Sequence, residues 1–204
     1  LLTINTLGTN LDISSKVGDI VINDNNATDY ILDTFGGAIT LNNDETNINV
    51  EAYGTDLVIN YNTLENLVLT GTLETVSVTS TNLDTIVSAS SSITIMNVES
   101  NQAIMNLSGS NITALNVTNN SINDLTADIN LADLTVTSTN SELLNASINA
   151  DQVIFNANNI PTIVLSDTSV IDILDLTNNS SLNTLTYGIA SIQNIDITTL
   201  EISL

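Results

Sequence analysis

The 204-residue chain has no cysteine, no histidine and no tryptophan, and Lys16 is its only cation. Without cysteine there is no disulfide framework and no thiolate nucleophile. Without histidine the commonest general base is missing. One cation against 23 carboxylates gives a formal charge of -22. No basic patch can neutralise nucleic-acid phosphates, and nothing draws the chain to an anionic membrane surface. No run of about 18 apolar residues occurs, so no helical span of a bilayer is expected. Absent cysteine leaves the redox compartment open. Aromatic residues make up 3% and apolar residues 42%, so the core must be built from Leu, Ile, Val and Ala.

Carboxylates are the only catalytic groups left in number. The sets Asp167, Asp172, Asp175 and Asp24, Asp29, Asp33 could in principle pair as in glycoside hydrolysis. A solvated acidic face explains them more simply, and the chain is expected to be no enzyme. Asp19, Asp24, Asp29, Asp44 and Glu45 lie in Asn-rich, turn-like stretches and are weak calcium candidates, though no EF-hand loop or glycine-aspartate nonapeptide accompanies them. Calcium apart, no cofactor is expected. The chain begins at Leu1 rather than Met, as a processed or excised segment would. Abundant Asn, Ser and Thr beside almost no Lys or Arg suggest a cell-surface or extracellular protein.

What is present is a repeat. Residues 112–131, ITALNVTNNSINDLTADINL, contain the frame I-x-x-L-x-V-x-x-N-x-I. Starts spaced by roughly 16–21 residues reproduce it at Leu1, Val17, Gly36, Gly54, Leu73, Ile93, Ile112, Leu131, Ala150, Ile171 and Ile192. Three and five places on lie pairs read as facing inward, such as Ile20 with Ile22, Leu57 with Ile59, and Leu115 with Val117. In the first repeat the pair is Ile4 with Thr6, the only pair with a polar member.

The eighth place holds Thr9, Asn25, Asp44, Asn62, Thr81, Asn101, Asn120, Thr139, Asn158 and Asn179. Stacked turns leave backbone groups without ladder partners, and a side-chain amide can serve both donors and acceptors. This frame resembles the leucine-rich-repeat family, in its surface-protein form of short all-β repeats of about 19–20 residues. The likeness covers essentially the whole chain. It implies a solenoid in which Asn25, Asn62, Thr81, Asn101, Asn120, Thr139, Asn158 and Asn179 form a structural ladder.

The second half of each repeat also reads as strand rather than helix: Leu64, Leu67 and Leu69; Leu83 and Ile86; Ile122, Leu125 and Ala127; Leu182, Leu185 and Tyr187. These runs are rich in β-formers and lack a 3.6-residue period. The expected fold is therefore an all-β solenoid of leucine-rich-repeat type, with strands on both sides of about eleven coils. It forms one domain over 1–204, less regular over 1–53, where half of the eight glycines lie, and regular over 54–204.

The outward positions form columns. Six places after the starts stand Leu7, Asn23, Asn42, Asn60, Thr79, Glu99, Thr118, Thr137, Asn156, Thr177 and Thr198, and two places earlier Ser77, Asn97, Asn116, Thr135, Ile154 and Asp175. A regular hydroxyl array would suit ice, but Glu99 and Asp175 interrupt it. The ends read as apolar strands, with Leu1, Leu2 and Ile4 at one and Ile195, Ile197, Ile202 and Leu204 at the other. Exposed strand edges template pairing. The sequence thus suggests a structural protein stacking end to end into a filament, sheath or surface layer. The alternative is an adhesion or binding module of a larger surface protein, holding a protein or glycan ligand on its strand face. An ice-binding solenoid is the third reading.

Overall fold

A computed structural model describes residues 1–6, 9–24, 27–34, 37–43, 45–61, 63–101, 104–109, 112–119, 124–138, 144–155, 160–166, 168–177, 179, 182–187 and 191–196. Among them there is no helix, and none that could cross a membrane. The chain forms a parallel β-solenoid.

Strands β1 (Leu2–Thr6), β2 (Asn10–Val17), β3 (Ile20–Asp24), β4 (Asp29–Thr34), β5 (Ile39–Asn43), β6 (Asn47–Tyr53) and β7 (Asp56–Tyr61) alternate between two faces. β8 (Asn66–Thr79) and β9 (Thr85–Ser100) each run along the second face and on into the first. β10 (Ile104–Gly109) and β11 (Ile112–Asn119) resume the alternation. β12 (Asp124–Ser138) and β13 (Leu144–Phe155) again serve both faces. β14 (Thr162–Leu165), β15 (Val170–Asp175), β16 (Thr184–Thr186) and β17 (Ser191–Asp196) complete the order.

Neighbouring strands are parallel and in register. On the first face Ile20 lies opposite Ile39, Ile39 opposite Leu57, and Leu57 opposite Val76. That column continues through Met96, Leu115, Leu134 and Val153 to Leu174 and Ile195. On the second face Ile48, Leu67, Ile86, Leu107, Ala127 and Ile148 form another. Period-2 alternation turns these side chains inward, and most are fully buried. Each buried Leu or Ile contributes about 1.5–3 kcal/mol through lost water contact. The core is thus a set of aliphatic stripes between the two faces of one wrapped 17-stranded sheet, with Tyr30, Tyr61 and Phe155 as its largest fully buried side chains.

The second halves of the repeats are strands as their composition predicts. Leu64, Leu67, Leu69, Leu83, Ile86, Leu125, Ala127, Leu182 and Leu185 are buried and Tyr187 is half-buried; Ile122 lies outside the described residues. The glycine-rich start belongs to the same ladder, with β1 to β7 paired like the later strands. Gly37 sits where the chain passes from the second face to the first. A Cβ there would come within 2.6 Å of the Gly18 carbonyl carbon in the neighbouring coil. Gly71 has φ of +119°, and a Cβ would strike the Ala52 carbonyl oxygen. It stands where the β8–β9 register shifts, between Leu69 and Gly71, as a bulge requires.

The first repeat corrects the sequence frame by two residues. Ile20 lies opposite Leu2, and Ile22 opposite Ile4. Thr6 therefore aligns with Asp24, beyond the inward pair. The observed register puts Leu2 and Ile4 against the core, whereas the frame starting at Leu1 would have placed a hydroxyl there. A strand with one buried face selects the register that buries apolar groups.

Candidate functional site

Where the strands end, inward polar groups take over. After Val76 and Val78 the alternation continues to Ser80, and after Met96 and Val98 to Ser100. Both serines are buried. Ser80 Oγ donates to the Leu64 carbonyl at 2.7 Å, and Ser100 Oγ to the Leu83 carbonyl at 2.7 Å. Ser169, also buried, donates to the Ala146 carbonyl and accepts from the Ile148 N–H at 3.1 Å. Thr81 and Asn101, which the sequence frame puts in the ladder, are exposed. The inward position falls one residue earlier because the strand's two-residue period runs on before the turn begins.

Asn179 is the described ladder residue that turns inward. It is buried, and its Nδ2 group donates to the Ile160 carbonyl at 2.9 Å. Its Oδ1 atom has no hydrogen-bond partner among the described residues. Thr9 is exposed. Asn25, Asp44, Asn62, Asn120, Thr139 and Asn158 lie outside the described residues.

The carboxylates proposed for calcium are spread through the structure. Asp19 precedes β3 on the first face and accepts the Ala38 N–H at 3.1 Å. Asp29 begins β4 on the second face and accepts from Asn49 Nδ2 at 2.7 Å and Thr28 Oγ1 at 2.9 Å. Those two hydrogen bonds hold its carboxyl below the ordinary range. Glu45 lies between β5 and β6. The Asp24 side chain and all of Asp44 fall outside the described set. Among the described residues no three carboxylates converge to hold a metal ion.

The outward columns are more ordered than composition suggests. Asn23 Nδ2 donates to Asn5 Oδ1 at 3.1 Å, Asn42 to Asn23 at 2.9 Å, and Asn60 to Asn42 at 3.5 Å. Asn5 heads this column, where the sequence frame had Leu7. Further along the same face, Asn97 Nδ2 donates to Ser77 Oγ at 3.4 Å and Asn116 Nδ2 to Asn97 Oδ1 at 2.9 Å. Between the ladder of Ser77, Asn97 and Asn116 and the parallel column of Thr79, Glu99 and Thr118 lies an open groove of about 270 Å³. Column spacing in the sequence already pointed to these six positions. The groove itself depends on the rungs being in register.

At the ends, β1 pairs with β3 and β2 with β4, while β17 pairs with β15 and β16 with β14. Leu1 is 86% exposed. Leu2, Ile4 and Ile195 are half-buried against the core. Ile197, Ile202 and Leu204 lie outside the described residues. No family model, no curated protein and no solved structure matches this chain.

Proposed function

We propose that the chain is a non-enzymatic structural protein of the cell surface or extracellular space, stacking end to end into a filament, sheath or layer. In this reading the solenoid is of leucine-rich-repeat type, with about eleven coils and strands in place of the family's outer helices.

One observation carries the reading. The half-buried apolar residues packed on the core are Leu2, Ile4 and Leu11 near one end, and Tyr187, Ile192 and Ile195 near the other. Leu2 heads the inward column that runs to Ile195. A second copy stacked on β17 would set its Leu2 on Ile195 and extend that column. Because all described strands run parallel, the outer edges of β1 and β17 are complementary rather than identical. Such a contact is heterologous, and it propagates instead of closing. Backbone hydrogen bonds across the joint would come from β1 and β17 as they do within the solenoid.

The test is negative-stain imaging beside sedimentation, with and without calcium. Uniform filaments of single-solenoid width are expected, and deletion of residues 1–7 should abolish them. A stable monomer at high concentration under both conditions would overturn the reading.

A further inference from the structure

We propose that the groove on the first face binds an oligosaccharide carrying protonated amino groups, and that Glu99 is its charge-recognising residue. This does not rest on end-to-end assembly.

The groove has two walls, each three rungs long. One is Ser77, Asn97 and Asn116, in register across β8, β9 and β11. Its amides are fixed by bonds to one another along the column. Each amide has two N–H groups, and only one is used in that ladder. The second N–H of Asn97, the second N–H of Asn116 and the Asn116 Oδ1 atom therefore remain for a ligand, in orientations already set. Such preorganisation lowers the ordering cost of binding.

The other wall is Thr79, Glu99 and Thr118, again in register. Glu99 is exposed, and its carboxylate makes no hydrogen bond or ion pair among the described residues. The asparagines donate and accept, the hydroxyls do both, and the carboxylate only accepts. That mixture matches a ligand rich in hydroxyls with a cation at one point. Lys16 is the chain's single internal cation against 23 carboxylates, so the surrounding field favours a positive ligand. A bare metal ion fits poorly, since hard cations take six to eight oxygens and the groove has one carboxylate. A purely apolar ligand fits poorly too, since both walls are polar. The feature that interrupts a threonine row, a lone glutamate between two threonines, is what gives this groove its selectivity.

The test is calorimetric titration of the full chain with a glucosamine tetrasaccharide at mildly acid pH, beside its N-acetylated counterpart. The variants are E99Q and, as a control elsewhere on β8, E74Q. Wild type and E74Q should bind the amino form, E99Q about tenfold more weakly, and the acetylated form should bind no better than E99Q binds the amino one. Thermal melts of E99Q and wild type should coincide, and T118V supplies a second, uncharged change in the same wall that should also weaken binding. Equal affinity of E99Q and E74Q would mean diffuse attraction to an acidic surface and would overturn the proposal. So would absence of binding by wild type, or preference for the acetylated sugar.

Discussion

Tyr61 Oη donates to Tyr30 Oη at 3.2 Å inside the core. The two rings come from opposite faces of the solenoid, β7 and β4, and both are buried. In an interior of aliphatic stripes, this pair lets two large side chains enter without stranding their hydroxyls. Removing one hydroxyl leaves a buried polar partner behind. The Y61F variant should lose about 1–2 kcal/mol in denaturant unfolding. The Y30F/Y61F double variant should lose less than the sum of the single changes, because it removes both polar groups together. Additive losses would show that the two hydroxyls act independently.

Among the described glycines, Gly71 should be the least replaceable. Its φ of +119° is a region that residues with a Cβ rarely adopt, and the Cβ itself would meet the Ala52 carbonyl oxygen. G71A should cost at least about 2 kcal/mol. Gly18 has nothing within 4 Å of the added atom, so G18A serves as the comparison. It should melt close to wild type, and a similar loss in both variants would refute the contrast.

The inward serines make a prediction that separates the observed ladder from the sequence frame. Ser80 is buried and bonded to the Leu64 carbonyl, while its neighbour Thr81 is exposed. S80A should cost about 1–2 kcal/mol, because the carbonyl loses its donor. T81A should stay within about 0.5 kcal/mol, as surface changes do. The reverse order in chemical denaturation would restore the asparagine-threonine frame.

Two titrations follow from side-chain hydrogen bonds on the second face. Asn49 is the larger cause of the lowered Asp29 value, and Thr28 the smaller. A carboxylate depressed in the folded state stabilises above its unfolded pKa, and that stabilisation is lost as pH falls through the folded value. The N49A variant should move Asp29 up toward the ordinary carboxylate range, read by NMR of the carboxyl carbon. Tyr53 behaves oppositely. Its hydroxyl donates to Glu51 Oε1 at 3.1 Å, and that bond and the carboxylate's charge raise its pKa. Its contribution is present below the unfolded pKa and lost as pH rises through the folded one. In E51Q the ultraviolet titration of Tyr53 should shift to lower pH, and no shift would show that the bond is absent in solution.

The sequence by itself determined the strands, their inward stripes beyond the first repeat, and the solenoid that stacks them. Ile20 with Ile22 or Leu115 with Val117 alternate with polar neighbours, and alternation is a local property that survives into the fold. It also determined that the second side would be strand, since nothing there carries a helical period. Only the tertiary structure decided the rest. The first repeat could present Ile4 with Thr6 or Leu2 with Ile4, and contact with Ile20 and Ile22 in the next coil settled it. Ser80 rather than Thr81 turns inward because the corner begins one residue later than the spacing suggests. Gly37 is needed because Gly18 lies across the coil boundary. The groove beside Glu99 exists because residues about twenty apart come to lie side by side. Each of these depends on a neighbour that is remote in the chain, which a local period cannot specify.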